Sequence, residues 1–524
     1  MSQIAICRSL YRSMAVVVMV IAALLAVSPS ASAAQKLVWG KPSEVLSTDP
    51  HTSGSGTSWT VYYLIYETLT GTDDELRVVP RLAEKWEQPN PTTYIFHLRR
   101  NAAFSNGRRL VAADVVGSLQ RLRDPALGAT WAVNLGSVKE IVAVDDHTVR
   151  IKLNAPHTPL LSVLAVSTMS ILPMKELKEG TFDPTKTMMG SGPYMVAEHL
   201  QDQAWKLVAN PHYGRPGLPK VSEVEIRIIP DDAARIAALR DGRVDFATFE
   251  IPDAPKLLKG IPNVETFIQQ TPNYFRLDVS AIDEKSPFAD LRVRQAMALA
   301  VDRARIVDIV FGGQSTVDCP VPETFELQAC RDLPTYSLPR KERLAKAKAL
   351  LKEAKAENLK ISIIASPVLA TYPLIAQVIQ ASLAEAGFQV NIEQVPVADW
   401  YKRVFSPEKT NFHLAVSWFA GYSDPSLVLR WWNPITAGFN KGFLKPVEAY
   451  TELLSKINQL PSGPDRTAAM KKACAIIDEQ ANMLALVNKP DYIGYRKDLV
   501  DARFGRAEGN FNTMKYLETF TSKR

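Results

Sequence analysis

The chain has 524 residues, with 61 Lys and Arg against 55 Asp and Glu for a formal charge of +6, and is 46% hydrophobic and 22% charged. Scattered basic residues in such a balance exclude a nucleic-acid surface built on bulk charge, and the composition is that of an ordinary globular protein rather than a disordered or fibrous one. A single core rarely serves this length, so two or three domains are expected.

In chain order, Arg8 and Arg12 precede an uncharged apolar run from Met14 to Val27, followed by Pro29, Ala31, Ser32 and Ala33. This is the pattern of a secretory signal peptide at residues 1–33, and the run is shorter than the roughly 20 residues that span a bilayer. Cys7 lies ahead of the run, so no lipid-bearing cysteine is expected at the new N-terminus. Leu37 to Ser47 reads as a short strand, Asp49 to Ser58 (DPHTSGSGTS) as a Gly/Ser loop and Trp59 to Thr68 as a helix. Thr93 to Leu98 alternates as a strand, Asn106-Gly107 marks a turn, and Ala112 to Leu122 is helical with Asp114 in its first turn.

Glu223 to Thr248 reads strand, helix, strand (VEIRII, DDAARIAALRDG, VDFATF), a spacing suited to a right-handed crossover. The pattern recurs as LKISIIA, a helix entered through Pro373 and ended by Gly387, and FQVNIEQV. Two α/β sheets follow, with Asn273 to Ser280 as the strand crossing between them and a return near Met483 to Asn488. The basic stretch Lys341 to Lys360 keeps Leu344, Ala347, Leu351 and Ala354 at helical spacing and reads as a solvated helix face.

No GxxxxGK[ST], HExxH or GxSxG motif is present, so no enzymatic activity is expected. The doublets Asp73-Asp74, Asp145-Asp146 and Asp231-Asp232 fit turns and helix starts better than paired-carboxylate chemistry. CxxC and HxxxH are also absent, so neither a metal nor a cofactor is expected. Cys319 and Cys330 flank PVPETFELQA and would pair in an oxidising compartment, a closure worth roughly 3 kcal/mol. Cys474 reads as a core thiol.

A recognition loop is expected at SWFAGYSDP, from Ser417 to Pro425, where a strand opens into a loop with a Trp and a Gly. Trp418 and Tyr422 are the contact candidates, because they present large rigid apolar faces. Trp431 and Trp432 read as core packing.

The segments YETL (Tyr66 to Leu69), PRLAEKW (Pro80 to Trp86), GSGPY (Gly190 to Tyr194) and SPFADLRVRQAMALAVDR (Ser286 to Arg303) resemble, in type and order, the bacterial extracellular solute-binding proteins of family 5. These are the dipeptide, oligopeptide and nickel-type receptors of ABC importers. The resemblance spans about Trp39 to Thr519 and includes TYIFHLRRNAAFSNGRRLVAADVVGSLQR from Thr93, with Ser105 where the family often has His. It implies an α/β, two-lobed periplasmic-binding-protein fold of type II with an extra α+β domain inserted in the first lobe. Lobe I would comprise 35–50, 186–276 and 486–524, the inserted domain 51–185, and lobe III 277–485.

The implied function is a Gram-negative periplasmic receptor. As a monomer it would capture a peptide-like or other polar organic solute and deliver it to a membrane permease with ATPase subunits, with no nucleic-acid partner. The implied contacts are Ser53, Gly54 and Ser55 of the loop Thr52 to Gly56, Asn273 and Tyr274, Tyr492, and Ser417, Trp418, Phe419 and Ala420. Peptide-binding members read Trp, two residues, then an Asp that takes the ligand's amino group. This chain has Gly421 there, with Asp424 nearby. An opine, oligosaccharide or metal-chelate receptor therefore stays open, and a secreted hydrolase, chaperone or haem carrier is the remoter reading.

Overall fold

The computed structural model describes residues 35–129, 131–405, 411–437, 440–507, 509 and 512–524, so the signal-peptide segment lies outside the described residues. Three larger sheets organise the chain from Lys36 onward. A seven-stranded sheet takes, in spatial order, Val264–Gln269, Asp491–Arg496, Phe246–Phe249, Lys36–Lys41, Glu223–Ile228, Ala204–Ala209 and Tyr194–Leu200. Strand Lys36–Lys41 runs parallel to both of its neighbours. The expected crossover is present as Glu223–Ile228, helix Asp232–Arg240 and Phe246–Phe249, with the chain's first strand slotted between the two. Asp231 caps the helix by accepting from Ala234 N–H at 2.7 Å. The first strand stops at Lys41 rather than near Ser47, because Pro42 has no N–H to continue the ladder.

A five-stranded sheet takes Gln389–Gln394, Lys360–Ala365, Leu414–Phe419, Tyr274–Val279 and Met483–Asn488. Helix Thr371–Ala386 joins the parallel neighbours Lys360–Ala365 and Gln389–Gln394, the latter at the sheet's edge. The helix buries Tyr372, Ile375, Ile379, Leu383 and Ala386 along one stripe and stops at Gly387, which adopts the left-handed φ of 108° that favours glycine. A separate four-stranded antiparallel sheet takes Ala83–Asn90, Thr93–Leu98, Thr148–Leu153 and Val138–Asp145.

The two passages between the larger sheets lie at 270–273 and 489–490. Strands Tyr274–Val279 and Met483–Asn488 lie wholly inside the five-stranded sheet, so the passage precedes the strand expected to make it. Asn488 ties the passages together by donating its amide to Thr271 O (2.6 Å) and Asn273 O (3.0 Å).

The sequence segments that carry the resemblance do structural tasks. Asp290 caps helix Leu291–Ala300, and the buried Arg294 on that helix donates to Gln480, Phe288 and Ala289 carbonyls. Glu67 pairs with Arg99 at 2.8 Å out of water. Gly190 and Gly192 lie against the Ile65 carbonyl, where a Cβ would come within 2.0 Å and 2.7 Å of its oxygen. The acidic doublets sit in turns: Asp73 accepts from the Arg77 backbone N–H and Asp145 from that of His147.

Cys319 and Cys330 form a disulfide with Cα atoms 6.0 Å apart. The buried Cys474 Sγ lies 3.9 Å from that of Cys319, and burial pushes its thiol up to about 12. Peptide mapping without reduction is expected to recover residues 319 and 330 linked, with Cys474 alkylated only after unfolding. Quantitative alkylation of Cys319 and Cys330 in the native protein would contradict this.

Candidate functional site

Strand Leu414–Phe419 pairs with Tyr274–Val279, setting Ser417 opposite Arg276 and Trp418 opposite Phe275. The chain leaves the sheet at Ala420 and Gly421 beside the first inter-sheet passage. Gly421 donates its N–H to Asn273 Oδ1 (2.7 Å), and its carbonyl accepts from Gly509 N–H (3.2 Å). Asn273 in turn donates its amide to the Gly509 carbonyl at 2.8 Å. A Cβ on Gly421 would lie 2.2 Å from the Pro272 carbonyl oxygen. Backbone therefore fills the space that a side chain would need at this position.

Aromatic rings from three parts of the chain meet beside this clamp. The buried Tyr422 stacks on Trp431 at 6.1 Å and meets Trp131 edge-on at 5.9 Å. Trp131 also meets Trp59 at 5.0 Å, and both indoles donate to the Ser53 carbonyl, at 3.3 and 3.4 Å. Phe419 stacks on the other ring of the group, Trp431, at 5.3 Å. Ser53 thus joins the Ser417 to Tyr422 loop through Trp131, whereas Gly54 is exposed with open space around it and Ser55 occupies a helix N-cap position.

Trp418 is partly exposed, with Lys489 Nζ 5.0 Å from its ring centroid, and Ala420 is likewise only partly buried. Ser417 is fully buried. Tyr274 lies in the core, stacked on Trp432 and accepting from its indole at 2.9 Å. Tyr492 belongs to a different apolar cluster, with Val38, Leu239 and Phe249, and is not brought to the aromatic wall. Trp431 and Trp432 are buried, but Trp431 is also the centre of that wall.

Asp424 has both oxygens committed. They accept from Arg466 at 2.9 Å each, and one also caps helix Pro425–Leu429 through Ser426 N–H at 2.8 Å. Neither lone acid nor free base results from this arrangement. Burial pushes the neighbouring His157 down to about 4, although Asp424 pulls it the other way. Among the described residues, the sulfurs of Cys319, Cys330 and Cys474 are the grouped soft ligands, and two of them are joined in the disulfide.

A family profile described as Bacterial extracellular solute-binding proteins, family 5 Middle, matches residues 77–440. The chain belongs to this family. Heme-binding protein A of Haemophilus influenzae is 29% identical over 472 residues, covering 82% of this chain and 82% of that protein. Glutathione-binding protein GsiB of Shigella dysenteriae is 27% identical over 515 residues, covering 94% of this chain and 96% of the relative. Among solved structures, the PBP AgaA from A. tumefaciens R10 in complex with agropinic acid aligns with a TM-score of 0.80 at 22% identity, over 93% of this chain and 99% of that one.

The fold is therefore the two-lobed periplasmic-binding-protein fold. Family 5 proteins are substrate-binding components of ABC importers, and this chain is of that class. Among the described residues no helix is long and apolar enough to cross a membrane. Sequence reasoning missed Trp59, Trp131 and Gly509, and the pair in which the buried Arg430 donates from Nη1 to Asn134 Oδ1. The available signal was faint: a lone Trp in the small-residue run GATWAV, and an Arg beside a Trp pair.

Proposed function

We propose that this family 5 protein captures a polar organic solute in the periplasm, between lobe I (35–50, 186–276, 486–524) and lobe III (277–485), with 51–185 as an inserted domain. It would be exported with cleavage of residues 1–33 and would hand the closed form to an ABC permease. The carrying observation is the aromatic wall of Trp131, Tyr422 and Trp431, assembled beside the passage between the sheets. Such a wall offers apolar contact at little conformational cost, and binding favours closure by differential affinity for the closed state.

Relatives named for heme and glutathione, and a neighbour holding agropinic acid, bracket the chemistry as organic and polar. The clamp at Gly421 supports a ligand that is not held by a free amino group, and hence an opine-like or amine-blocked solute over an ordinary peptide. Trp418 and Tyr422 would face an apolar or ring-shaped part of it.

Mass spectrometry of small molecules released from gently purified periplasmic protein is expected to find one such solute. Scattering with that solute is expected to give a smaller radius of gyration than without it. An unchanged radius at saturation would overturn closure.

A further inference from the structure

Several buried or half-buried cations among the described residues face a carboxylate. Arg276 pairs with Asp278, Arg466 with Asp424, Arg121 with Asp49 and Arg99 with Glu67. Arg294, which has no carboxylate bond, gives its protons to three carbonyls. Arg430 does neither. It is buried, its Nη1 donates to the neutral amide oxygen of Asn134, and its guanidinium carbon lies 4.8 Å from the Trp431 ring centroid.

The Nε of Arg430 is buried without a hydrogen-bond partner. Nε lies on the edge that, together with Nη2, matches a carboxylate in bidentate fashion. Asp424, the acid at the start of the helix that leads to Arg430, is spent on Arg466. Tyr422, stacked on the same Trp431 ring, is also buried with an unpartnered hydroxyl. Burial lowers the Arg430 guanidinium below its ordinary range, and Tyr422 acts against that.

We infer that Arg430, flanked by the Tyr422 hydroxyl, receives a carboxylate of the transported solute. This rests on the receptor reading above and narrows it to anionic ligands. Asn134, from the inserted segment, fixes the guanidinium from one side, and Trp431 fixes it from below. The binding edge is thus held in place before the ligand arrives. A bound carboxylate would supply a counter-charge only when the surrounding rings close over it, so the anion would also favour the closed form.

The test compares solutes extracted from wild-type, Arg430→Gln and Tyr422→Phe proteins purified in parallel from periplasm, with and without carbodiimide-amine tagging of carboxyl groups. The wild-type solute is expected to take the tag. Occupancy should fall about 10- to 100-fold in Arg430→Gln, the range for a hydrogen-bonded charged pair, and less in Tyr422→Phe, which removes a hydroxyl while keeping the ring. Melting of the ligand-stripped proteins checks that the variants fold; if Arg430→Gln does not, Tyr422→Phe and Asn134→Ala carry the comparison.

A solute that takes no tag, including a phosphate ester, or equal occupancy in the folded variants, would overturn this inference and leave the receptor reading standing. No extractable solute, together with no calorimetric response of the stripped wild-type protein to glutathione or agropinic acid, would overturn both.

Discussion

Replacing Gly421 with Asp is expected to destabilise the protein by at least about 3 kcal/mol and to create no site for a ligand ammonium. The first contribution is steric, since the new Cβ would lie 2.2 Å from the Pro272 carbonyl oxygen and 2.4 Å from its carbonyl carbon. Backbone cannot rotate aside as a long side chain can. The 270–273 passage would have to shift, which would strain the Gly421 N–H bond to Asn273 and the Asn488 bonds that tie the two passages together. The second contribution is the burial of a carboxylate among backbone groups. Gly421→Ala separates the two, because it carries the clash without the charge. Denaturant melts of the three proteins supply the comparison. A Gly421→Asp protein within about 1 kcal/mol of wild type, which also binds a free-amine peptide but not its acetylated form, would remove the basis for excluding amine recognition. Trp418→Ala should weaken solute binding without that loss of stability, since the ring is partly exposed.

The local grammar of the chain carried much of the architecture. VEIRII to VDFATF and LKISIIA to FQVNIEQV show their periods directly, and Gly387 ends its helix for a reason visible in one residue. The site was only half legible. The missing Asp at position 421 could be read, but the cause could not, because Pro272 reaches that point through the fold, far away in sequence. Trp131 meets Ser53 across 78 positions, and Arg430 meets Asn134 across 296. No periodicity encodes such pairings. Tyr492, read as a contact by resemblance, faces the cluster of Val38 and Phe249, because its strand lies in the other sheet.

Asp424→Ala is expected to cost about 3–5 kcal/mol, the range for removing one partner of a buried ion pair. Arg466 is nearly inaccessible, and its two terminal nitrogens donate to the two Asp424 oxygens at 2.9 Å, with a further bond to Ser426 Oγ at 2.7 Å. Loss of the carboxylate strands that guanidinium and removes the cap of helix Pro425–Leu429 together. Asp424→Asn should cost less, since an amide oxygen still accepts from Ser426 N–H. The double replacement Asp424→Ala with Arg466→Met should cost less than the sum of the singles, because it leaves no unpaired charge. Chemical denaturation measures all four, and additive losses would show that the pair is not coupled. Solute affinity should fall in parallel with the cap, for the helix that Asp424 anchors leads directly into Arg430, Trp431 and Trp432. A variant that lost stability yet bound solute as wild type would place recognition away from that helix and on the Trp418 side of the loop.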